Sequence, residues 1–198
     1  MNNTQKLIIE TTIDIVAEKG LEGFSLREIA KKLDISHTNV YAYYKTKEEL
    51  LLDCFYMVNE EIASVFDSLD IPANIEASGA HEIFHKVWEK YFNFMIDNGN
   101  HSLFYYAYRE SDALKKVFMR NNNTTASEMA HFMEEFEQLC FALSLDENVD
   151  MDYLFAFLLD GTGVFVKHII KGNIEPESVD INQVWLLISG GLGSVYKR

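Results

Sequence analysis

A chain of 198 residues in which 48% are hydrophobic is long enough to form one or two domains around a packed core. Its formal net charge of −14 excludes a protein that coats nucleic acid indiscriminately, because neutralisation of phosphates by Lys and Arg supplies most non-specific affinity. Two cysteines exclude a disulfide framework, and with two prolines and no alternating strand pattern the chain reads as all-α.

The first predicted helix runs from Thr4 to Lys19, with Leu7/Ile8, Thr11/Thr12 and Ile15/Val16 on its inner side, and it ends at Gly20 as a C-terminal cap. Its apolar patch at Leu7 to Ile9 is followed by Glu10, Asp14 and Glu18. Neither a secretory signal nor a membrane span is therefore expected, and the protein is expected to be cytoplasmic. Ser25 and Glu28 have the spacing of a capping box, and Leu26, Ile29, Ala30 and Leu33 follow at the spacing of one buried helical face. Asp34, a residue type that tolerates left-handed backbone, ends this helix. Ser36 caps a second short helix whose inward residues are Val40 and Tyr44.

The opposite side of that second helix carries Thr38 and Ala42, with Asn39 beside them and Tyr41 and Tyr43 on its flanks. This uncharged face has small hydrogen-bonding groups that suit base edges and thymine methyls, while tyrosine hydroxyls and nearby lysines suit phosphate oxygens. The pattern reads as a helix-turn-helix, the plain alternative being an ordinary antiparallel helix pair. Thr46 and Glu49 form a second capping box and put Lys47 at the first position of a helix reaching about Ser68. A cation there opposes the helix dipole, which is reasonable if it faces an anion such as a DNA phosphate.

The segment DIPANIEASG then marks the clearest domain boundary, dividing a reading head at residues 1–46 from a body at 47–198 that begins with the linking helix 47–68. Residues 1 to 50 hold seven basic against eight acidic residues, so the remaining acid lies in the body, which would point away from DNA. Further helices are predicted near 80–97, 101–108, 112–121, 124–144, 150–171 and 180–196. Aromatic residues crowd the first, second and fourth of these, and Cys54 and Cys140 read as buried small hydrophobes. Asp160 interrupts the run YLFAFLLDGTGVFV, so it must be paired, wetted or facing a ligand. Phe155 to Ile170 is apolar on nearly every side, and Gly161 and Gly163 cost about 1 kcal/mol each inside a helix unless close packing offsets them. In the final helix Ile181, Trp185, Ile188 and Leu192 form a stripe, while Ser189, Gly190, Gly193 and Ser194 form a small-residue face suited to a symmetric dimer.

Residues 4 to 58 resemble the DNA-binding end of the TetR family of bacterial transcriptional repressors: a first helix ending in AEKG, then FSLREIAKKLDIS, then Val40-Tyr41, then K-x-K-E-E-L. The resemblance implies that Ser25 and Arg27 touch the DNA backbone at the start of the helix that Ser25 caps, that His37, Thr38 and Asn39 face bases, and that Tyr41 and Lys47 hold phosphates, with Ser36, Tyr43 and Lys45 also at the DNA. It also implies a small-molecule inducer, largely apolar or aromatic, in a pocket drawing on Phe84, Trp88, Tyr91, Phe92, Phe104, Tyr105, Tyr108, Phe132, Phe136 and Asp160. Two helices of each subunit would build a four-helix dimer interface through Phe157, Gly161, Val164, Trp185, Ser189, Gly190 and Gly193. Implied partners are thus double-stranded DNA with a pseudo-palindromic operator, the inducer and a second copy of the chain, with no cofactor and no membrane. Asp34 replaces the family's usual turn glycine, Tyr43 a frequent His, and His37-Thr38-Asn39 a commoner start, departures that bear on the operator sequence and not on the fold.

Two other classes are consistent with parts of the sequence. His81-Glu82-Ile83-Phe84-His85 matches H-E-x-x-H, the arrangement of a zinc-dependent hydrolase, with only the distant Glu110 as a third ligand. A helical adaptor dimer that does not bind DNA would explain the acidic body but leaves Tyr41, Lys47 and the two capping boxes unexplained. The expected protein is a ligand-responsive, non-enzymatic repressor.

Overall fold

A computed structural model describes residues 2–67, 77–114 and 150–192. Among these residues every regular element is helical, as the sequence predicts. Helix α1 spans Asn3–Lys19, α2 Leu26–Lys32, α3 His37–Tyr43, α4 Lys47–Asp67, α5 Ala77–Asp97 and α6 Gly99–Arg109. Helix α7 spans Met151–Ile170, and α8, Ile181–Leu192, comes after a short 3₁₀ turn at Pro176–Ser178. Residues 112–114 are helical as well; the rest of the predicted 112–121 helix, the 124–144 helix, Cys140, Phe132, Phe136 and Gly193 lie outside the described residues.

The chain divides into two compact units. One joins residues up to Glu61 with the segment that begins at Asn98, so α6 belongs with the reading helices; the other holds the rest of α4, α5, α7 and α8.

In the first unit α1 packs against both α2 and α6. A helix covered on two sides buries more than one stripe, which explains a departure from the predicted inner face. Ile9 and Ile13 are buried together with Ile8, Thr12 and Val16, whereas Leu7 is 53% exposed. Thr12 donates its hydroxyl to the Ile8 carbonyl at 2.7 Å, which satisfies a buried polar group. Gly20 ends the helix at φ +77°, and its amide donates to the Val16 carbonyl. Cys54 on α4 is fully buried with its Sγ 3.8 Å from the Ile9 carbonyl oxygen, and burial pushes the thiol well above its ordinary pKa.

The second unit is centred on α5, packed against α7 and α8. Residues Ala77 to Gly79, read from sequence as part of the boundary segment, are the first residues of α5. Trp88 of α5 donates its indole N–H to the Thr162 hydroxyl of α7 at 2.8 Å, a buried bond joining the two helices. Gly161 has the close approach its position predicts, because a Cβ there would lie 3.0 Å from Ile188 Cδ1 of α8.

Candidate nucleic-acid interface

The turn between α2 and α3 has the predicted chemistry. Asp34 adopts φ +53°, the only non-glycine residue with positive φ among the described residues. The Ile35 amide donates to the Ala30 carbonyl across this turn, and Leu33 to Ile29. Val40 is fully buried and Tyr44 is 3% exposed, so these two set the rotation of α3. His37, Thr38, Asn39, Tyr41, Ala42 and Tyr43 are left on the surface.

Three caps fix the helix starts. Ser25 Oγ accepts from the Glu28 amide at 3.2 Å, Ser36 Oγ from the Asn39 amide at 3.3 Å, and Thr46 Oγ1 from the Glu49 amide at 3.2 Å. Only the last box is reciprocal: the Glu49 carboxylate accepts from the amides of Lys45 at 2.8 Å and Thr46 at 3.3 Å. The Glu28 carboxylate instead pairs with Lys19 of α1, which ties α2 to the helix that covers it. Ser25 and Ser36 therefore use their oxygens as acceptors, and their own O–H groups can still donate to phosphate.

The far end of α3 is held by Tyr44. Gln5 of α1 donates to its hydroxyl at 3.2 Å, and the hydroxyl donates to Asp53 Oδ2 of α4 at 3.0 Å. Burial, with the nearby Asp53 charge adding to it, pushes this phenol well above its ordinary pKa, so it stays a neutral donor. Asn2 caps α1 and also reaches the Tyr43 hydroxyl at 3.4 Å. Lys45 donates its ammonium to the Tyr41 carbonyl at 2.8 Å, capping the last turn of α3. Tyr41 makes an edge contact with His37, ring centroids 5.7 Å apart. Arg27 is exposed on α2, and Lys47, half-buried, lies over the Phe24 ring. All ten residues expected at DNA thus belong to one unit. Asn2, Gln5 and Phe24 join them as supports, and nothing in helical periodicity points to such partners.

The residues expected around an inducer divide between the two units. Phe104, Tyr105 and Tyr108 of α6 pack in the first, where Phe55 stacks on Tyr105 at 5.7 Å and meets Tyr108 at 5.5 Å. The Tyr108 side chain is fully buried, which pushes its pKa up to about 12. In the second unit Phe84, Trp88, Tyr91 and Phe92 are all buried. Trp88 stacks on Phe92 at 5.1 Å, and Trp185 of α8 meets Phe84 at 5.5 Å and His85 at 4.8 Å. An open cavity of about 300 Å³ lies beside them, lined by Glu89, Phe92, Asn93 and Ile96 of α5 with Ile169 and Ile181. Of the residues expected from sequence, Phe92 lines it. Asp160 is exposed on α7.

The residues expected between subunits also separate. Phe157 and Val164 of α7 are 48% and 51% exposed, in line with Tyr153 at 77%. On α8, Leu186 and Leu187 are 69% and 66% exposed, whereas Trp185 and Gly161 engage neighbours within the same unit. Ser189 is half-buried and Gly190 exposed. In the H-E-x-x-H motif, Glu82 pairs with Lys86 at 2.6 Å, His81 is exposed, and the ring of His85 stacks on Trp185.

Comparison with known proteins matches residues 8–54 to the family described as bacterial regulatory proteins, tetR family. An uncharacterized HTH-type transcriptional regulator of Bacillus subtilis, YuxN, is 46% identical over 52 residues, 26% of this chain and 18% of that protein. The fatty acid metabolism regulator protein of the same organism is 26% identical over 96 residues, 48% of this chain and 46% of that protein. The chain thus aligns with less than half the length of either relative. A TetR family transcription regulator from Marinobacter aquaeolei VT8 shares the fold, with a TM-score of 0.74 and 22% identity over 98% of this chain and 96% of the other. Residues 8–54 thus carry the sequence of the tetR family's regulatory proteins, and the chain shares its fold with a TetR family transcription regulator.

Proposed function

We propose that this protein is a ligand-responsive repressor that binds a pseudo-palindromic operator as a homodimer and leaves it when a small molecule enters the body. The observation that carries this reading is the uncharged, exposed face of α3, bounded by tyrosine hydroxyls and lysines and held at both ends by buried or capped contacts. A face built that way can discriminate base edges because the protein fixes its orientation before contact. His37, Thr38 and Asn39 read bases; Ser25, Arg27, Ser36, Tyr41, Tyr43, Lys45 and Lys47 hold the backbone.

Support for the dimer comes from the line of Tyr153, Phe157 and Val164 on α7 and the pair Leu186–Leu187 on α8, large apolar side chains left in solvent by the single chain. Their burial against a second copy would give a four-helix interface. For the ligand, support comes from the open cavity beside Phe92, lined by Phe92, Ile96, Ile169 and Ile181 together with Glu89 and Asn93, and from the name of one relative, a regulator of fatty acid metabolism. An acyl chain fits the lining chemistry, with Asn93 and Glu89 at hand for a polar head.

The test is a shift assay on the DNA upstream of the protein's own coding sequence, repeated at rising salt with random duplex as competitor. A complex specific for the upstream DNA, dissolved by a compound that also raises the thermal midpoint of the free protein, supports the reading. Equal affinity for random duplex, or no complex at any salt, overturns it. Half-site centres should fall about 34 to 36 Å apart or a multiple of that.

A further inference from the structure

Lys47 occupies the first position of α4, where the partial positive charge of a helix start opposes an ammonium group. Its Nζ nevertheless has a defined place, 4.4 Å from the centroid of the Phe24 ring. The ring itself is fixed. Phe24 is 4% exposed and immediately precedes Ser25, the cap of α2, whose Oγ is engaged by the Glu28 amide. The face of an aromatic ring carries partial negative charge and attracts a cation placed above it. Lysine has a long flexible stem whose ordering opposes any contact that its tip makes. An ammonium already seated on a fixed ring meets a phosphate with less of that ordering left to do, and Lys47 keeps part of its surface in solvent.

We propose that Phe24 is the positioning residue for Lys47, its ring face holding the ammonium at the DNA-facing start of α4. The proposal rests on the reading of Lys47 as a phosphate ligand. Phe24 itself touches no DNA and carries no sequence preference. Its contribution is electrostatic as well as apolar, and that distinguishes it from a core residue that merely keeps the unit folded.

The experiment separates the two contributions by fluorinating the ring at position 24, which drains its negative face while nearly keeping its shape. Phenylalanine and its mono-, di- and trifluoro analogues are incorporated at residue 24 of the full chain, in the wild-type and Lys47→Ala backgrounds. Affinity for the operator and for a random duplex is read by fluorescence anisotropy, with thermal midpoints measured in parallel. In the wild-type background, affinity for both duplexes should fall stepwise with fluorination, by about two- to fivefold at the last step, while the preference for operator is unchanged. In the Lys47→Ala background the series should be flat. A flat series in the wild-type background, or equal losses in both, overturns the role of Phe24. If Lys47→Ala binds both duplexes as tightly as wild type, the reading of Lys47 fails and the role of Phe24 fails with it. Phe24→Leu, which keeps an apolar side chain without the ring, should match the trifluoro protein in affinity; wild-type affinity in that variant would also count against the proposal.

Discussion

His101 of α6 offers a quantitative test of how the first unit is braced. Its Nδ1 lies 2.7 Å from Glu61 Oε2 of α4 and its Nε2 lies 3.0 Å from Glu10 Oε2 of α1, so one ring spans three helices. A carboxylate only accepts, and a neutral imidazole has only one N–H. Both contacts are hydrogen bonds only when the ring is an imidazolium. The hydrogen bond to Glu61 is the main influence raising the His101 pKa; burial opposes it, and the charges of Glu61 and Glu10 add to it. A folded-state pKa above the unfolded one means that protonation and folding favour each other. The stabilisation is complete below the unfolded value of about 6.5, while the carboxylates remain ionised, and it is lost as pH rises through the elevated folded value. The ring is 18% exposed but Glu10 and Glu61 are 35% and 36% exposed. Two charge-assisted bonds discounted for that screening give about 1 to 2 kcal/mol. Urea unfolding of wild type and His101→Gln from about pH 5.5 to about pH 9 should show that difference at the acid end, shrinking as pH rises. A difference that does not change with pH would refute the imidazolium brace, since an uncharged packing role has no reason to titrate.

The contacts of α3 and α4 with DNA should separate by kind: Asn39→Ala should lose about 1 to 3 kcal/mol on the operator and little on random duplex, whereas Lys47→Ala should weaken both alike, measured by competition anisotropy. Phe157→Glu with Leu187→Glu should convert the proposed dimer to a monomer in sedimentation at micromolar concentration, because an unpaired charge placed in an apolar interface opposes its burial. Thr162→Val keeps the shape of the side chain but leaves the buried indole N–H of Trp88 without its acceptor, so the thermal or urea midpoint should fall by the equivalent of about 1 to 3 kcal/mol.

The reading head was legible because its signals are local. Ser25, Ser36 and Thr46 each cap an amide three residues downstream, Asp34 is marked by its tolerance of positive φ, and Val40 and Tyr44 share one helical face. The features that escaped depend on a distant partner. The spacing of Ser25 and Glu28 is that of a box, but Lys19, nine residues before Glu28, competes for the carboxylate and takes it. Leu7, expected on the inner side of α1, is exposed, and Ile9 and Ile13, outside the expected stripe, are buried, because α6, far along the chain, adds a second covering surface to α1. Phe84 and Phe104, expected together around an inducer, are both buried, but one packs in the unit of α5 and the other in that of α1. On α8 the stripe drawn through Trp185 and Ile188 is inward, but Val184 lies with it, and Leu186 and Leu187 are left outside. A helix apolar on several sides does not reveal from sequence which side faces its own subunit. Phe24, Gln5 and His101 belong to the same class: each matters through a residue more than twenty positions away.

The distribution of charge sets a ceiling on how strongly DNA binding can depend on salt. Residues 1 to 50 hold seven basic side chains, and two are already engaged within the unit: Lys19 by Glu28, and Lys32 by Asp14 at 4.0 Å. Five remain in each subunit, among them Arg27, Lys45 and Lys47. With each phosphate neutralised contributing about −0.9 to the slope of log affinity against log salt, a dimer cannot exceed a slope of about −9 through the reading heads alone. The other basic residues lie in the part of the chain that is net acidic and repelled by the duplex. On the proposed reading, hydrogen bonds from Tyr41, Tyr43 and the capping serines would add phosphate contacts without releasing counterions, so the affinity they supply should persist at salt. Titration of the operator complex from about 50 to about 200 mM salt should therefore give a slope shallower than about −9, with residual specific binding at the upper end. A steeper slope would mean that cations of the acidic body reach the DNA, and the separation of the chain into a reading head and a repelled body would have to be abandoned.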